Sequence, residues 1–126
     1  MITCVDFSAS EVARRIPVSR SARKMLDIGG SHGYYSIMLC RRLTGLLSVV
    51  FDLPEAVGYA ATILAREGMG ERIVHRAGNA LTDNLGNEEY DLIFIGNLLH
   101  HFDGKASRDL VNRSAHALRC ARMVTW

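Results

Sequence analysis

The sequence has 126 residues, a length typical of one domain, and 48% of them are hydrophobic, which is ordinary for a folded globular protein. It contains no run of about 18 apolar residues and no basic segment followed by an apolar one at its start. We therefore expect neither a membrane-spanning helix nor a signal peptide. The net charge of +2 at pH 7 comes from two basic ends around an acidic middle. Aromatic residues that could stack on bases are not interleaved with the basic ones, so the ends are interpreted as solvated surface and nucleic acid is not expected as a partner.

The cysteines stand far apart, at Cys4, Cys40 and Cys120. Their odd number and wide spacing fit neither a disulfide framework nor a zinc site. Reduced thiols are typical of cytosolic proteins, so we expect a cytoplasmic location.

The segment before the first strand is predicted to hold a helix and a connector. Ser8 and Glu11 have the spacing of a capping box, and Pro17 would end the helix that follows them. A basic connector then leads to the first strand. The predicted division is an N-terminal helix and connector at 1–23 and a cofactor-binding core at 24–126.

Residues 24–33 are the centre of the predicted core. They begin with a short apolar strand, continue with a turn rich in glycine, and lead into apolar residues at helical spacing over 34–43. A strand, a glycine turn and a helix form a cradle for a nucleotide-like cofactor, because glycine lets a ligand approach the main chain closely. A second strand over 46–51 ends in Asp52, where an acid can hold a ribose diol.

The glycine pattern of this turn does not fit a dinucleotide site. Such a site needs G-x-G-x-x-G for a pyrophosphate, and neither Gly29 nor Gly30 starts that pattern, because other residues occupy both later glycine positions. The turn is instead preceded by Asp27. Its carboxylate would repel a pyrophosphate but suits a ligand that carries an ammonium and a sulfonium group. The residues therefore favour S-adenosylmethionine over NAD.

The middle of the chain continues the alternation of helices and strands. Pro54 suits the first position of a helix, which Gly68 and Gly70 would end. A third strand is predicted over 73–77, and a polar loop follows it.

The last third of the chain completes the predicted sheet. Residues 90–95 are apolar on both faces, as expected for a central parallel strand. Asp103 can cap a last helix, and a fifth strand is predicted over 122–126. The predicted fold is α/β, a Rossmann-like doubly wound parallel sheet of five strands.

Four short segments carry a resemblance to a known family. They are Leu-Asp-Ile-Gly-Gly-Ser-His-Gly at 26–33, Phe-Asp-Leu-Pro-Glu at 51–55, Gly-Asn-Ala at 78–80, and Asp-Leu-Ile-Phe-Ile-Gly-Asn-Leu-Leu-His-His-Phe at 91–102. In this order they resemble class I S-adenosylmethionine-dependent methyltransferases, in the branch of O-methyltransferases that act on hydroxylated small molecules. The resemblance covers about residues 24 to 120. It implies S-adenosyl-L-methionine as cofactor and a small molecule as methyl acceptor.

The family also suggests what the sequence does not contain. Its members carry two further strands, and the small-molecule O-methyltransferases usually add an N-terminal helical domain that completes the acceptor pocket and the dimer. This sequence is therefore expected to be a truncated core that lacks the last two strands. A second hypothesis follows, that of a catalytically incomplete cofactor-binding or interaction module, completed by a second copy or a partner chain at the open sheet edge.

The resemblance implies a role for each matched residue at the cofactor. The methionine end would be held by Asp27 and the glycine turn, the ribose hydroxyls by Asp52, and the adenine by residues that follow the second and third strands. The predicted cofactor-binding residues are Asp27, Gly29, Gly30, Ser31, Gly33, Asp52, Leu53, Asn79, Ala80 and Asn97.

Simpler interpretations of these residues stay open. The glycines could serve only to turn the chain, Asp52 could cap the helix that follows it, and Gly78 with Asn79 could form an ordinary turn. Asn79 also departs from the family, which typically has an aspartate there. An amide oxygen can still accept a hydrogen bond from the adenine amino group.

His100 aligns with the general base of the family. A neutral imidazole near pH 7 can take the proton of an acceptor hydroxyl. The adjacent His101 cannot easily point into the same pocket, and the alternative is that the pair only shapes the pocket. These two histidines and His32 are not expected to bind a metal, because no carboxylate or thiol stands at ligand spacing. His75 and His116 are expected at the surface, and no metal site is predicted.

Overall fold

The computed structural model of the chain describes residues 20–29, 33–58, 60–95, 103–119 and 123–125. The helix predicted after Ser8 lies outside these residues. The described chain forms a sheet of five parallel strands in the order β3-β2-β1-β4-β5. This confirms the predicted parallel α/β sheet. The strands are β1 (Lys24–Ile28), β2 (Leu47–Asp52), β3 (Ile73–Ala77), β4 (Leu92–Ile95) and β5 (Met123–Thr125).

The described helices are α1 (Tyr34–Arg42), α2 (Pro54–Val57), α3 (Ala60–Arg66) and α4 (Gly104–Ala117). Asp103 caps α4 as predicted, because its Oδ1 accepts a hydrogen bond from the backbone N–H of Ala106 at 2.8 Å. The prediction of one continuous helix after Pro54 was wrong. The segment forms the two helices α2 and α3, and Gly58, a weak helix former, follows the first of them.

The two faces of the sheet carry separate cores. Side chains alternate between the faces along each strand, so Met25 packs on the side of α1 and α3 while Leu26 packs on the side of α4. Every residue of β4 is buried, which confirms the prediction of a central strand. Cys40 lies in the first core, where burial raises the pKa of its thiol to about 11, so the thiol stays protonated at neutral pH.

The register of the strands decides which residues meet at the carboxyl edge of the sheet. Ile28 of β1 pairs with Phe51 of β2 and with Ile95 of β4, and Asp52 pairs with Ala77 of β3. Ligands of open α/β sheets bind outside this edge, near the point where the strand order reverses. None of the described helices is long and apolar enough to cross a membrane.

Candidate functional site

The first and last glycines of the turn after β1 adopt the backbone geometry that was expected of them. Gly29 and Gly33 both have positive φ, at 73° and 79°. The N–H of Gly29 donates to the carbonyl of Phe51 at 2.7 Å, which ties the turn to β2. A Cβ on Gly33 would lie 3.4 Å from Val50 and 3.5 Å from the ring of His75, which is ordinary contact, so it is the positive φ that makes another residue strained there. Gly30 and Ser31 lie outside the described residues.

Asp27 lies at the end of β1, beside this turn, and it is fully buried. Its Oδ2 accepts a hydrogen bond from Ser36 of α1 at 2.8 Å, and the Ser36 hydroxyl in turn lies 2.7 Å from that of Ser48 on β2. Among the described residues nothing donates to Oδ1. A buried oxygen without a donor carries a desolvation penalty, so this atom is suited to an incoming cation or donor.

The protonation of Asp27 reflects these surroundings. Burial raises the pKa of its carboxyl from 3.8 to about 7, the hydrogen bond from Ser36 opposes the rise, and the negative charge of Asp52 adds to it. The group is therefore poised to change charge near neutral pH. A cation next to Oδ1 would favour the ionised form and lower this pKa.

Sequence reasoning missed the two serines that support Asp27. Both are buried, Ser36 within α1 and Ser48 within β2, at positions where the neighbouring side chains are apolar. A polar residue at a buried helix or strand position is a signal that could have identified them. Their partner, however, could be named only once the register was known.

Asp52 ends β2 and is half-buried at the same edge. Its Oδ1 accepts a hydrogen bond from the N–H of Leu53 at 2.7 Å, and its backbone carbonyl accepts one from Gly78 at 2.9 Å. The N-cap of α2 is Leu53, without a side-chain capping bond. The interpretation of Asp52 as a mere helix cap is therefore wrong, and its carboxylate is held at the strand tip.

The loop after β3 is a compact turn next to Asp52. A Cβ on Gly78 would lie 2.6 Å from the ring of Phe51, so the backbone approaches β2 too closely for another residue. The N–H of Asn79 donates to Asp83 Oδ2 at 3.0 Å, and Asn79 Oδ1 accepts from the N–H of Leu81 at 2.9 Å. The amide oxygen predicted to meet adenine thus already has one donor and keeps one lone pair.

Two large apolar side chains are exposed at this edge. Leu53 is 50% exposed and Leu81 is 40% exposed. Leu53 was predicted to pack on adenine, whereas Leu81 was missed, although an apolar residue within a polar loop is a readable signal. Exposed leucines beside carboxylates and backbone N–H groups can bind a flat ring that carries polar edges.

The histidines divide into three groups. His100 and His101 lie outside the described residues, as do His32 and Asn97, so their roles stay predictions. His116 is exposed, as expected, whereas His75 is half-buried beside Gly33 and not at the surface as predicted. His75 pairs with Val50 of β2, so its side chain lies on the face of the sheet that α1 covers. The sequence did not reveal this orientation. Within the described ranges, no group of three His, Cys, Asp or Glu residues could hold a metal ion.

Comparison with known proteins identifies a family whose model matches this chain. A family model described as "O-methyltransferase domain" matches residues 8–124. A 3-hydroxy-5-methyl-1-naphthoate 3-O-methyltransferase of Streptomyces sahachiroi is 29% identical over 118 residues, which cover 94% of this chain and 34% of that protein. The N,N-dimethyltransferase OxyT of Streptomyces rimosus is 30% identical over 116 residues, 92% of this chain and 33% of that protein.

A solved structure shares the fold. The structure of PigF with S-adenosylhomocysteine superposes with a TM-score of 0.78 at 24% identity, over 90% of this chain and 34% of that chain. The chain thus spans about a third of the length of these three proteins.

Proposed function

Because the chain belongs to the O-methyltransferase domain family, we propose that it binds S-adenosyl-L-methionine and transfers its methyl group to a hydroxyl of a small molecule. The observation that carries this proposal is the buried Asp27 beneath the glycine turn. Its Oδ1 has no donor among the described residues, and Asp52 stands at the tip of the adjacent strand. Two carboxylates in this arrangement suit a ligand with an ammonium group and a ribose diol.

The turn and Asp27 would hold the methionine end of the cofactor. An ammonium at Oδ1 of Asp27 would satisfy the buried oxygen and stabilise its charge. The backbone of Gly29, Gly30 and Ser31 would surround the rest of the amino acid, and Gly33 leaves the start of α1 uncovered by a side chain. PigF, which shares the fold, was solved with S-adenosylhomocysteine, which supports a ligand of this chemical class.

The ribose and adenine would bind along the ends of β2 and β3. Asp52 would accept hydrogen bonds from the two ribose hydroxyls, with its carboxylate oriented by the N–H of Leu53. Leu53 would pack on the adenine ring, and the exposed Leu81 adds a second apolar side chain at this edge. Asn79 and the backbone of Ala80 would contact the polar edge of the ring.

The chemistry requires alignment and a base. When bound, S-adenosylmethionine supplies an electrophilic methyl group, and the acceptor oxygen forms a bond to its carbon as the carbon–sulfur bond breaks. Asn97 would lie near the cofactor at the end of β4, and His100 would accept the proton that the hydroxyl loses. The protein contributes mainly by holding nucleophile and methyl group in line.

Calorimetric titration tests the cofactor site directly. The chain is titrated with S-adenosylmethionine and S-adenosylhomocysteine, beside Asp52→Ala and a matched control, Glu71→Ala. Glu71 is an exposed acid that precedes β3 at the opposite edge of the sheet. We expect Asp52→Ala to weaken binding about tenfold to hundredfold, because hydrogen bonds to a charged group are lost. The control should bind like the wild type. A folded wild type that binds neither ligand would refute the proposal.

An acceptor screen separates hydroxyl from amine chemistry. Pairs of aromatic compounds that differ only in a hydroxyl or an amino group are incubated with the cofactor, and the methylated products are identified by mass. We expect methylation of the hydroxyl member and a loss of at least about a hundredfold in His100→Ala. Methylation of the amine alone would favour the chemistry named for OxyT.

Binding without turnover would favour a second candidate function. In the described sheet, β5 pairs with β4 on one side and is an edge strand. An edge strand can pair with another chain, so a second copy or a partner could complete a catalytically incomplete module. Sedimentation analysis distinguishes a chain that acts alone from a module that needs to be completed. A stable dimer, or a complex with a required partner, has a larger mass than the monomer.

A further inference from the structure

Arg113 on α4 connects that helix to the loop after β3. The side chain is partly buried, at 27% exposure, and its donors have three different acceptors. Nη1 donates to the backbone carbonyl of Asp83 at 3.0 Å, Nη2 donates to the carbonyl of Ala80, and Nε donates to Asp109 Oδ2 at 2.8 Å. Two of the three acceptors belong to a loop about thirty residues earlier in the chain.

The other hydrogen bonds in the first part of this loop, residues 78–83, are mostly internal. Asn79 and Asp83 bond to each other through the Asn79 N–H, the Asp83 N–H and the Asp83 carboxylate, while Gly78 bonds to Asp52. These bonds shape the turn and tie Gly78 to β2, while Arg76 of β3 donates to the carbonyl of Asn84 at 2.9 Å. At the far end of the loop, backbone N–H groups donate to the last residues of α4. Between these points, the guanidinium of Arg113 connects residues 80 and 83 of the loop to α4.

One peptide unit of the loop is held from both sides. In a trans peptide the carbonyl of Ala80 and the N–H of Leu81 point in opposite directions. The carbonyl is bound by Arg113, and the N–H is bound by Asn79 Oδ1. Fixing this peptide plane therefore also fixes the side-chain amide of Asn79, whose oxygen faces Leu81.

We propose that Arg113 is a positioning residue that sets the adenine end of the cofactor site by holding the peptide plane between Ala80 and Leu81. This inference rests on the proposed cofactor site. Arg113 reaches the loop backbone and acts through Asn79 and Leu81, without touching the ring itself. Its removal should weaken recognition of the purine 6-position more than it weakens recognition of the methionine end.

The test compares Arg113→Met with Arg113→Lys and Asp109→Asn. The methionine replaces the unbranched stem of the side chain but has no donors, the lysine keeps one donor group, and Asp109→Asn removes the ion pair while leaving both bonds to the loop. In the ligand-free chain, amide hydrogen exchange at Leu81 and Asp83 should rise in Arg113→Met and stay unchanged in Asp109→Asn. Unchanged exchange in Arg113→Met would overturn the inference, independently of any cofactor.

Ligand affinity supplies the second readout. Dissociation constants are measured for S-adenosylhomocysteine and for S-inosylhomocysteine, in which a carbonyl replaces the purine amino group. We expect Arg113→Met to bind S-adenosylhomocysteine about tenfold more weakly and to discriminate less between the two ligands, with partial rescue in Arg113→Lys. Removal of the ligand's α-amino group should lower the affinity by the same factor in Arg113→Met as in the wild type, because that group would bind at Asp27.

The two hypotheses fail in different ways. A wild-type chain that binds no S-adenosylhomocysteine would refute the cofactor site and, with it, the role of Arg113 in ligand recognition. A wild type that binds, together with an Arg113→Met variant of unchanged affinity and unchanged discrimination, would refute the positioning role alone.

Discussion

Asp27 and Asp91 stand at opposite edges of the same sheet, in opposite situations. Asp91, just before β4, is partly exposed, and its Oδ2 accepts hydrogen bonds from the N–H groups of Arg23 and Lys24 at 2.8 and 3.2 Å. Its Oδ1 lies 3.8 Å from Nη1 of Arg119. Asp27 is fully buried; its Oδ2 accepts a hydrogen bond from the Ser36 hydroxyl, and within the described chain nothing donates to its Oδ1.

The difference lies in how far the fold itself satisfies each carboxylate. Asp91 is satisfied by the fold itself, because it joins the start of β4 to the residues that lead into β1. Asp27 is buried at a cost in free energy that the described contacts only partly offset, and its remaining oxygen lies at the edge where ligands bind. Changing these two residues in parallel separates a structural acid from a proposed ligand-binding acid.

The largest expected effect is on the pH dependence of stability. The pKa of Asp27 rises from 3.8 in the unfolded chain to about 7 in the folded chain, so between these values the folded chain holds a proton that the unfolded chain has released. The free energy of unfolding of the wild type should therefore fall as pH rises through this window, by up to about 4 kcal/mol, and level off above pH 7.

Asp27→Asn cannot titrate and should lack this contribution. Urea unfolding of both proteins from pH 4 to pH 8 gives the difference between their free energies of unfolding. The contributions of the other carboxylates are the same in both proteins and largely cancel in this difference. That difference should move in favour of Asp27→Asn as pH rises. A difference that stays constant over the whole range would contradict a raised pKa.

Cofactor affinity should separate the two aspartates next. We expect Asp27→Asn to weaken binding of S-adenosylmethionine by about 3 kcal/mol, roughly a hundredfold, because the ligand ammonium would lose its charged partner. Asp91→Asn should leave the affinity unchanged. Calorimetry above pH 8, where wild-type Asp27 is ionised, gives the cleanest comparison. Equal losses in the two variants would show that neither carboxylate is specific to the ligand.

A smaller effect is expected for the structural acid. Asp91→Ala removes the acceptor of two backbone N–H groups and should lower the free energy of unfolding by about 1–2 kcal/mol at neutral pH. These groups are near the surface, so water can replace part of what is lost. Chemical denaturation measures the change, and an unaltered stability would contradict the proposed joining role of Asp91.

The smallest effect concerns the second serine of the buried network. Ser48→Ala leaves the bond from Ser36 to Asp27 in place but removes the partner that orients the Ser36 hydroxyl. We expect a loss of about two- to threefold in cofactor affinity, under 1 kcal/mol. Thr62→Ala on the exposed face of α3 is the control. A loss as large as that of Asp27→Asn would mean that Ser48 contributes more than support.

Local patterns predicted the parts of this protein that depend on neighbouring residues. The apolar strand before Gly29, the helix after Gly33 and the cap at Asp103 are short-range features, because propensity and capping act within a few residues. Predictions that depended on contacts between residues distant in the sequence were less accurate. The helix after Pro54 forms two segments, and His75 is half-buried because β3 presents it to α1.

The sequence by itself determined the alternation of strands and helices, the glycine turn, and the placement of acids at the ends of β1 and β2. These follow from hydrophobic periodicity and from backbone geometry that only glycine adopts easily. Tertiary structure alone decided that Ser36 and Ser48 meet beside Asp27, and that Arg113 reaches the loop after β3. Strand register and helix packing set those contacts between residues 9 to 33 positions apart, and no local pattern encodes such distances.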